Sequence, residues 1–319
     1  MKLKRKHFFI FLMICILSCT KADKAMYPLH EKKVLILGNS ITQDGKYVDF
    51  LEYYLRKNHP EKPLDIISIG LSSETVSGNS EPAHEFPRPN IHTRLNDALQ
   101  AVKPELVIAC YGMNDGIFSA NNRERFNAYK EGIYELKRKI EKQGATLILL
   151  TPTIFDPTPI KDIVNKSEDV VGYKHPYYKY NDVLKSYANW LLGFKDIQVI
   201  NLHKYLNANL AEMKAHKGDA SFLPDGIHPN QTGHFLMAKK ILNDLYPKIQ
   251  IDDPVTEIEK LKNDPLFLLS SKRRQIRSEG WLNYIGYKRE AVVKSNEISA
   301  TQEQVKKLDD EIFKTQLNK

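Results

Sequence analysis

The stretch LILGNSIT, residues 35–42, is an apolar run that ends abruptly in glycine, asparagine and serine. Short apolar runs bounded by turn residues are typical of strands buried on both faces of a sheet. Two roles are then open to Ser40. It could be the N-cap of a following helix, a position at which serine is strongly preferred. It could instead be a nucleophile displayed at the end of a strand.

The same alternation of apolar runs and amphipathic segments continues along the chain. Predicted strands cover 33–37, 64–69, 106–111, 145–150 and 197–202, and predicted helices cover 47–58, 91–102, 123–143, 180–192 and 232–245. Nearly all-apolar strands separated by amphipathic helices indicate a parallel sheet covered on both faces. We therefore predict an α/β fold, a three-layer α/β/α sandwich with a mainly parallel five-stranded sheet.

Residues 1–18 are predicted to be an export signal. Basic residues at 2–6 precede the apolar run 8–17, which is too short to span a membrane as a permanent helix. The run stops just before Cys19, as in the lipobox of bacterial lipoproteins, in which this cysteine becomes the lipid-bearing N-terminus. We expect an exported protein anchored to a membrane through Cys19, facing the periplasm or the cell surface, with 19–31 as a tether. An ordinary cleaved signal with an incidental Cys19 is the alternative.

Cysteine content and charge follow from that interpretation. Of the three cysteines, Cys15 leaves with the signal and Cys19 carries the lipid, so Cys110 remains alone and no internal disulfide is expected. Because Cys110 lies inside a predicted strand, it is expected to be a core residue, not a nucleophile.

The signal also removes four basic residues, so the net charge of +8 falls to +4. A mildly basic chain without clustering does not predict a nucleic-acid partner.

Polar residues and glycines follow the predicted strands at the edge where such sheets bind ligands. The first strand is followed by GNS at 38–40, the second by Gly70 and the third by GMND at 112–115. The segment DGIHP at 225–229 precedes the last helix of the predicted domain. We expect these segments to lie close together.

The residue types in these segments suit nucleophilic catalysis. A serine hydroxyl such as that of Ser40 needs a base to take its proton. The imidazole of His228 is the natural base near neutral pH. Asp225, three residues earlier, can meet His228 on one turn and hold the ring in the required tautomer. The predicted catalytic residues are therefore Ser40, Asp225 and His228.

The four segments, in this order, resemble the SGNH subset of the GDSL hydrolases, a family of esterases and lipases. The family is named for a serine, a glycine, an asparagine and a histidine, which would be Ser40, Gly70, Asn114 and His228 here. The resemblance covers about 32–247. It implies a flavodoxin-like hydrolase domain, which we place at 32–250.

The resemblance also implies an oxyanion hole. Its donors would be the backbone N–H groups of Ser40 and Gly70 and the side-chain amide of Asn114. One visible departure is Asn39, where the family usually has aspartate before the nucleophile. Because the catalytic roles do not depend on that side chain, activity is still expected.

Each of these features also has a simpler local explanation. Ser40 could be a helix cap, Gly70 could end a strand, and Asn114 and Asp225 both lie in segments that suit turns. Their joint occurrence at one edge of one sheet favours a catalytic site. An α/β-hydrolase is the weaker alternative, because the G-x-S-x-G sequence of that fold is missing around Ser40.

We expect an exported serine esterase that hydrolyses carboxylic esters through an acyl-enzyme and deacetylates carbohydrate. Family members of this size and location often do so, and the tyrosine-rich loop at 173–178 could stack on sugar rings. The expected partner is a small-molecule or oligosaccharide ester. A lipid, lysophospholipid or aryl ester is the enzymatic alternative, and a non-catalytic glycan-binding protein is the alternative from another class.

No cofactor or metal ion is expected for acyl transfer to water. His84, Glu85 and His92 have side chains that can bind a metal, but their spacing matches no recognised site. Two loops are long, 71–90 and 151–179, and each is either functional or irregular surface.

Residues 251–319 are predicted to form a helical C-terminal extension. The basic run at 272–277 is expected to be a solvated helix face. For Trp281 and Tyr284 two interpretations stay open, a helical brace on the outer surface and a wall of the substrate cleft.

Overall fold

A computed structural model of the protein describes residues 28–169 and 172–317. The predicted signal, Cys19 and most of the predicted tether lie outside these residues. Within them, no helix combines the length and the apolar character needed to cross a bilayer.

The centre of the fold is a parallel sheet of five strands within the described residues, in the order β2-β1-β3-β4-β5. The strands are β1 (Lys33–Gly38), β2 (Asp65–Ser68), β3 (Leu106–Cys110), β4 (Thr146–Leu150) and β5 (Gln198–Ile200). This is the strand order of flavodoxin-like sheets. The predicted fold class is confirmed.

Helices cover both faces of the sheet. In order they are α1 (Ser40–Asp44), α2 (Lys46–Asn58), α3 (Leu95–Val102), α4 (Arg123–Lys142), α5 (Tyr180–Leu191), α6 (Leu202–His216) and α7 (Gln231–Leu245). Alternate side chains of β1 enter opposite layers, since Val34 and Ile36 pack with α2, α6 and α7, whereas Leu35 and Leu37 pack with α3, α4 and α5. The two apolar layers explain why every strand but the short β5 reads as a nearly continuous apolar run.

The helices differ from the prediction at three places. The short α1 and the whole of α6 were not predicted, and Leu202 begins α6 instead of ending a strand. The predicted helix at 91–102 is a 3₁₀ turn, Ile91–Thr93, followed by α3. The turn arises because the side chain of Asn90 accepts a hydrogen bond from the His92 N–H.

The domain begins before residue 32, inside the segment predicted to be a tether. Leu29 and His30 are fully buried. The Tyr246 hydroxyl accepts a hydrogen bond from the Leu29 N–H at 2.9 Å and lies 2.8 Å from the Nδ1 atom of His30. These contacts tie the first described residues to the end of α7.

The C-terminal extension contains α8 (Pro254–Leu261), α9 (Pro265–Ile285), a hairpin of β6 (Tyr287–Lys288) and β7 (Val292–Val293), and α10 (Ser299–Leu317). Helix α9 packs on α2, β2 and α3, and α10 packs on α9. Leu266, near the start of α9, joins the apolar layer of α2, whereas Leu282 and Ile285, near its end, join the layer of α3. Helix α9 therefore crosses the β2 edge of the sheet and covers it, which removes an open strand edge.

The basic run at 272–277 is not a solvated face, so that expectation was wrong. The guanidinium of Arg274 donates to both carboxylate oxygens of Asp49, at 2.6 and 3.0 Å, and Arg273 pairs with Glu52 at 3.4 Å. All four side chains are buried. Asp49 and Glu52 lie on the face of α2 that meets α9, so the arginines are matched by carboxylates in the contact between the helices.

Arg274→Ala should destabilise the fold by about 3–5 kcal/mol, because it leaves the carboxylate of Asp49 buried without its partner. The free energy of unfolding in urea measures this loss. Lys272→Ala, which removes an exposed charge from the same helix, should change it by less than about 0.5 kcal/mol. Equal values for the two variants would show that the buried pair does not stabilise the contact.

Candidate active site

The predicted catalytic serine and histidine meet at the carboxyl ends of the strands. Ser40 is the first residue of α1, immediately after β1, and His228 lies in the loop that leads into α7. The Oγ atom of Ser40 is 2.8 Å from the Nε2 atom of His228. The fold therefore joins two residues that are 188 positions apart in the chain.

Asp225 completes a hydrogen-bonded relay. Its Oδ2 atom is 2.7 Å from the Nδ1 atom of His228, and its Oδ1 atom accepts the backbone N–H groups of Ile227 and His228 at 2.9 and 2.7 Å. Although partial burial opposes the shift, these hydrogen bonds and the nearby imidazole lower the pKa of Asp225 to about 2. The carboxylate is therefore ionised at neutral pH, and a proton on Nδ1 leaves Nε2 free to accept from the serine hydroxyl.

Ser40 is not the cap of α1. The N-cap is Asn39, whose side-chain oxygen accepts the Ile41 N–H at 3.1 Å. Asn39 thus provides a capping acceptor at the position where the family usually has aspartate. Because Asn39 makes the cap, the hydroxyl of Ser40 is available to His228.

Gly70 lies against the end of α1. A Cβ atom built on it would come within 2.3 Å of the Gln43 nitrogen and 2.5 Å of the Thr42 carbonyl carbon, so only glycine fits. Within the described residues, the N–H groups of Gly70 and Ser40 donate to no other group. Both are therefore available as donors, as the predicted oxyanion hole requires.

Asn114 lines the cleft beside Ser40 and His228. Its buried amide nitrogen donates one hydrogen bond to the Glu74 carbonyl oxygen, at 3.0 Å, and retains a second N–H. The neighbouring Asp115 accepts the backbone N–H groups of Val76, Ser77 and Gly112 at 2.8–2.9 Å. The segment after β3 is therefore tied to the loop after β2 by hydrogen bonds. A local turn alone would not make these contacts.

A buried ion pair that the sequence analysis missed connects two of the predicted donors. Arg94 donates to both carboxylate oxygens of Glu74, at 2.7 and 2.8 Å, and its Nη2 atom also donates to the Ile69 carbonyl oxygen at 2.8 Å. That carbonyl belongs to the peptide unit whose N–H is that of Gly70, and the unit is planar. Arg94 therefore fixes the plane that carries the Gly70 donor, while the Glu74 backbone holds Asn114.

A signal for this pair was present in the sequence. Arg94 shares a helical face with the apolar residues Ala98 and Val102 of α3, and a cation in such a position must be paired. Glu74 follows the second strand closely. No sequence pattern, however, specifies that these two side chains meet.

The cleft around Ser40 is small and its walls come mainly from loops. Its volume is about 190 Å³. Besides Ser40, Asn114 and His228, it is lined by Ser72, Ser73, His84, Glu85, Phe86, Arg88, Phe118, Tyr173, Ile227 and Arg289. Both long loops thus contribute to the cleft. Ser73 and Phe118 have left-handed backbones, with φ of 66° and 56°, which is the kind of strain that concentrates at functional sites.

The residues considered as metal ligands do not converge. His84 and Glu85 line the cleft, but His92 is bound elsewhere, with its Nε2 atom 3.1 Å from the Gly132 carbonyl oxygen. Among the described residues, no group of three histidine, cysteine or acidic side chains has the arrangement of a metal site.

The remaining candidate residues have structural positions. Cys110 is buried at the end of β3, and burial raises the pKa of its thiol to about 12, so it is no nucleophile. Trp281, on α9, lines a surface groove with residues of β2 and α10, and Tyr284 lines another beside the end of α3, so neither lines the cleft. Of the two interpretations left open for these aromatics, their positions fit the brace on the outer surface and exclude the cleft wall.

Comparison with known families identifies the class of this site. Residues 36–236 match the model of the GDSL-like lipase/acylhydrolase family, which is more than half of the chain. The chain belongs to this family and is a serine ester hydrolase. No curated protein matches it.

Solved structures with a similar fold are distant in sequence. One is BT4096, a gut microbial diltiazem-metabolizing enzyme, with a TM-score of 0.51 and 19% identity over 69% of this chain and 48% of that one. The chain thus spans about half the length of that protein. Another is a mutant of Axe2, an acetylxylan esterase from Geobacillus stearothermophilus, with a TM-score of 0.49 and 19% identity over 70% of this chain and 98% of that one. A lipolytic protein of the G-D-S-L family from Desulfitobacterium hafniense has a TM-score of 0.43 and 18% identity over 66% of this chain and 97% of that one.

Arg94→Lys should lower kcat by roughly tenfold to a hundredfold, because lysine keeps the charge but cannot hold Glu74 and the Ile69 carbonyl together. KM should change less, since the cleft walls remain. Steady-state hydrolysis of 4-nitrophenyl acetate gives both constants. Tyr111→Phe is the matched control, because it removes only the 2.8 Å hydrogen bond from this hydroxyl to Glu74. If Arg94→Lys lowers thermal stability but leaves kcat unchanged, the pair is structural only.

Proposed function

We propose that this esterase removes acetyl groups from carbohydrate through a covalent acyl-enzyme. The observation that carries the proposal is the continuous relay from Ser40 through His228 to Asp225, with both hydrogen bonds below 3 Å. A pure binding protein has no need of such a relay. The proposed roles of the site residues follow from this geometry.

In the first half-reaction, Ser40 attacks the ester carbonyl carbon while Nε2 of His228 takes the hydroxyl proton. The ionised Asp225 stabilises the imidazolium that forms. When the tetrahedral intermediate collapses, His228 returns the proton to the leaving sugar oxygen. The products are the free sugar hydroxyl and an ester between Ser40 and the acyl group.

The negative charge of the tetrahedral intermediate is placed among three donors, the N–H groups of Ser40 and Gly70 and the amide of Asn114. Donors that are fixed before the reaction do not have to reorganise, and each is worth roughly 3–4 kcal/mol. The contacts of Gly70 with α1 and of Asn114 with Glu74 supply that rigidity.

In the second half-reaction, water replaces the sugar. His228 takes a proton from water, which attacks the acyl carbon, and then returns the proton to Ser40. Free carboxylic acid leaves and the enzyme is restored. Both halves use the same donors and the same base, so no further group is required.

A short acyl group fits the cleft best. A volume of about 190 Å³ with serine, histidine and arginine in its walls suits an acetyl group beside a sugar. A lipid or lysophospholipid ester would need a longer apolar groove. An aryl ester is less favoured because the aromatic walls are partly covered by charged side chains.

Export and anchoring form part of the proposal. The support is the sequence of residues 1–19, with its basic start, its short apolar run and Cys19. An esterase held at the periplasmic or cell-surface side of a membrane would meet polymeric carbohydrate directly. The described residues have no spanning helix of their own.

Ser40→Ala should lower the hydrolysis of 4-nitrophenyl acetate by about ten thousandfold or more, because the nucleophile is removed. The release of 4-nitrophenol measures the rate. Ser186→Ala, on α5 and away from the cleft, is the matched control and should keep full activity. Equal rates for the Ser40 variant and the native protein would eliminate the catalytic assignment and favour a glycan-binding protein.

Lengthening the acyl chain should lower kcat/KM by at least about tenfold between the acetate and the octanoate of 4-nitrophenol, because a cleft of about 190 Å³ has no room for the longer chain. Acetate release from acetylated oligosaccharides should exceed fatty-acid release from lysophospholipids. The opposite order in both assays would support the lipid esterase instead.

A further inference from the structure

The C-terminal extension reaches the cleft through a single residue, Arg289. It lies between β6 and β7 and is the only residue after 228 in the described part of the chain that lines the cleft with Ser40 and His228. Because Arg289 follows no strand of the central sheet and lies in neither long loop, no sequence pattern places it at the site.

The hairpin that carries Arg289 is fixed to the end of α9. The Gly286 N–H donates to the Leu282 carbonyl oxygen at 2.9 Å, and the Ser295 N–H donates to the Asn283 carbonyl oxygen at 2.7 Å. Leu282 is buried in the core, so the base of the hairpin cannot move independently of the helix. The Arg289 N–H donates to the Ala291 carbonyl oxygen and closes the tip.

The guanidinium of Arg289 lies over an aromatic wall of the cleft. Its central carbon is 4.8 Å from the centre of the Phe86 ring. The His84 ring contacts Phe86 edge-on at 4.7 Å, and the Tyr173 ring lies 5.3 Å from that of His84. Among the described residues the Arg289 side chain donates no hydrogen bond, so its N–H groups remain available to a ligand.

The other charged residues of the cleft have partners. Arg88 donates two hydrogen bonds to Glu81, at 2.6 and 2.7 Å, and Glu85 accepts the Tyr173 hydroxyl at 3.1 Å. Burial, with Arg88 nearby, lowers the pKa of His84, which is therefore neutral at pH 7. Arg289, by contrast, forms no ion pair with any residue that the structure describes.

We propose that Arg289 binds an anionic group of the substrate and that the enzyme prefers acetylated sugars that carry a carboxylate. The carboxylate of a uronic acid type of sugar would accept the two parallel N–H bonds that a guanidinium offers. The acetyl ester of the same or the adjoining sugar would then lie at Ser40. This inference rests on the proposed function and specifies its substrate class.

A matched pair of substrates isolates the charge. Acetylated glucuronic acid and acetylated glucuronamide differ only in the charged group, and acetate release is measured for both. The native enzyme should favour the acid in kcat/KM by about tenfold or more, as expected for a charge-assisted contact in a partly exposed cleft. Arg289→Gln should reduce the ratio to about one, and Arg289→Lys should give an intermediate ratio. Lys288→Gln, an exposed neighbour on β6 that does not line the cleft, should leave the ratio unchanged.

Two results would overturn this inference while leaving the proposed function intact. A native ratio near one would overturn the substrate preference while leaving the esterase intact. A ratio that persists in Arg289→Gln would assign the preference to another group and overturn the role of Arg289.

If the native protein hydrolyses no ester at all, the proposed function fails, and a binding measurement then tests the anion site at Arg289. Calorimetry with glucuronate should then show binding that is weakened by about tenfold in Arg289→Gln but not in Lys288→Gln. Equal affinities for all three proteins would overturn the anion site as well.

Discussion

The close packing of helix α1 against two glycines is the constraint on which the site depends. A Cβ atom on Gly38 would come within 2.2 Å of the Thr42 side chain, and one on Gly70 would come within 2.3 Å of the Gln43 nitrogen. The first turn after β1 is thus held against the ends of both β1 and β2. Because Asn39 caps this helix, Ser40 can begin it with its N–H unused and its hydroxyl toward His228. One packing arrangement therefore fixes the proposed nucleophile and two of the three proposed oxyanion donors.

Much of this arrangement could be predicted because it depends on local rules. The apolar strands have a continuous pattern, and parallel strands bring their carboxyl ends to one edge, so residues at 38–40, 70 and 112–115 had to be neighbours. Asp225 and His228 lie on one turn, which makes their contact a matter of short-range geometry. These rules and the resemblance to the SGNH hydrolases were enough to predict the proposed catalytic relay of Ser40, His228 and Asp225.

The features that were missed depend on pairing between distant residues. The pattern of 272–277 shows its charges but not that Asp49 and Glu52 on α2 pair with them, so it predicts a solvated face where the structure has a buried contact. The pairing of Arg94 with Glu74 could not be predicted for the same reason. Helix α6 was not predicted because its division into polar and apolar faces is weak. The burial of Leu29 and His30 was not predicted because two residues are too few to show a periodic pattern. In each case a tertiary partner, which no local pattern contains, determines the structure.

Chemistry and recognition are supplied by different parts of the chain. The proposed reacting groups lie on strand ends and tight turns that the core holds in place, whereas the cleft walls come mainly from the loops 71–90 and 151–179 and from the extension. Two contacts explain the position of helix α9. It covers the β2 edge of the sheet, and its arginines pair with buried carboxylates of α2. The hairpin at the end of this helix therefore lies at the cleft. Arg289 lies on that hairpin and forms no ion pair among the described residues. A segment that closes a sheet edge thus also adds a charged side chain to the cleft, so the proposed specificity depends on the same helix that stabilises the fold.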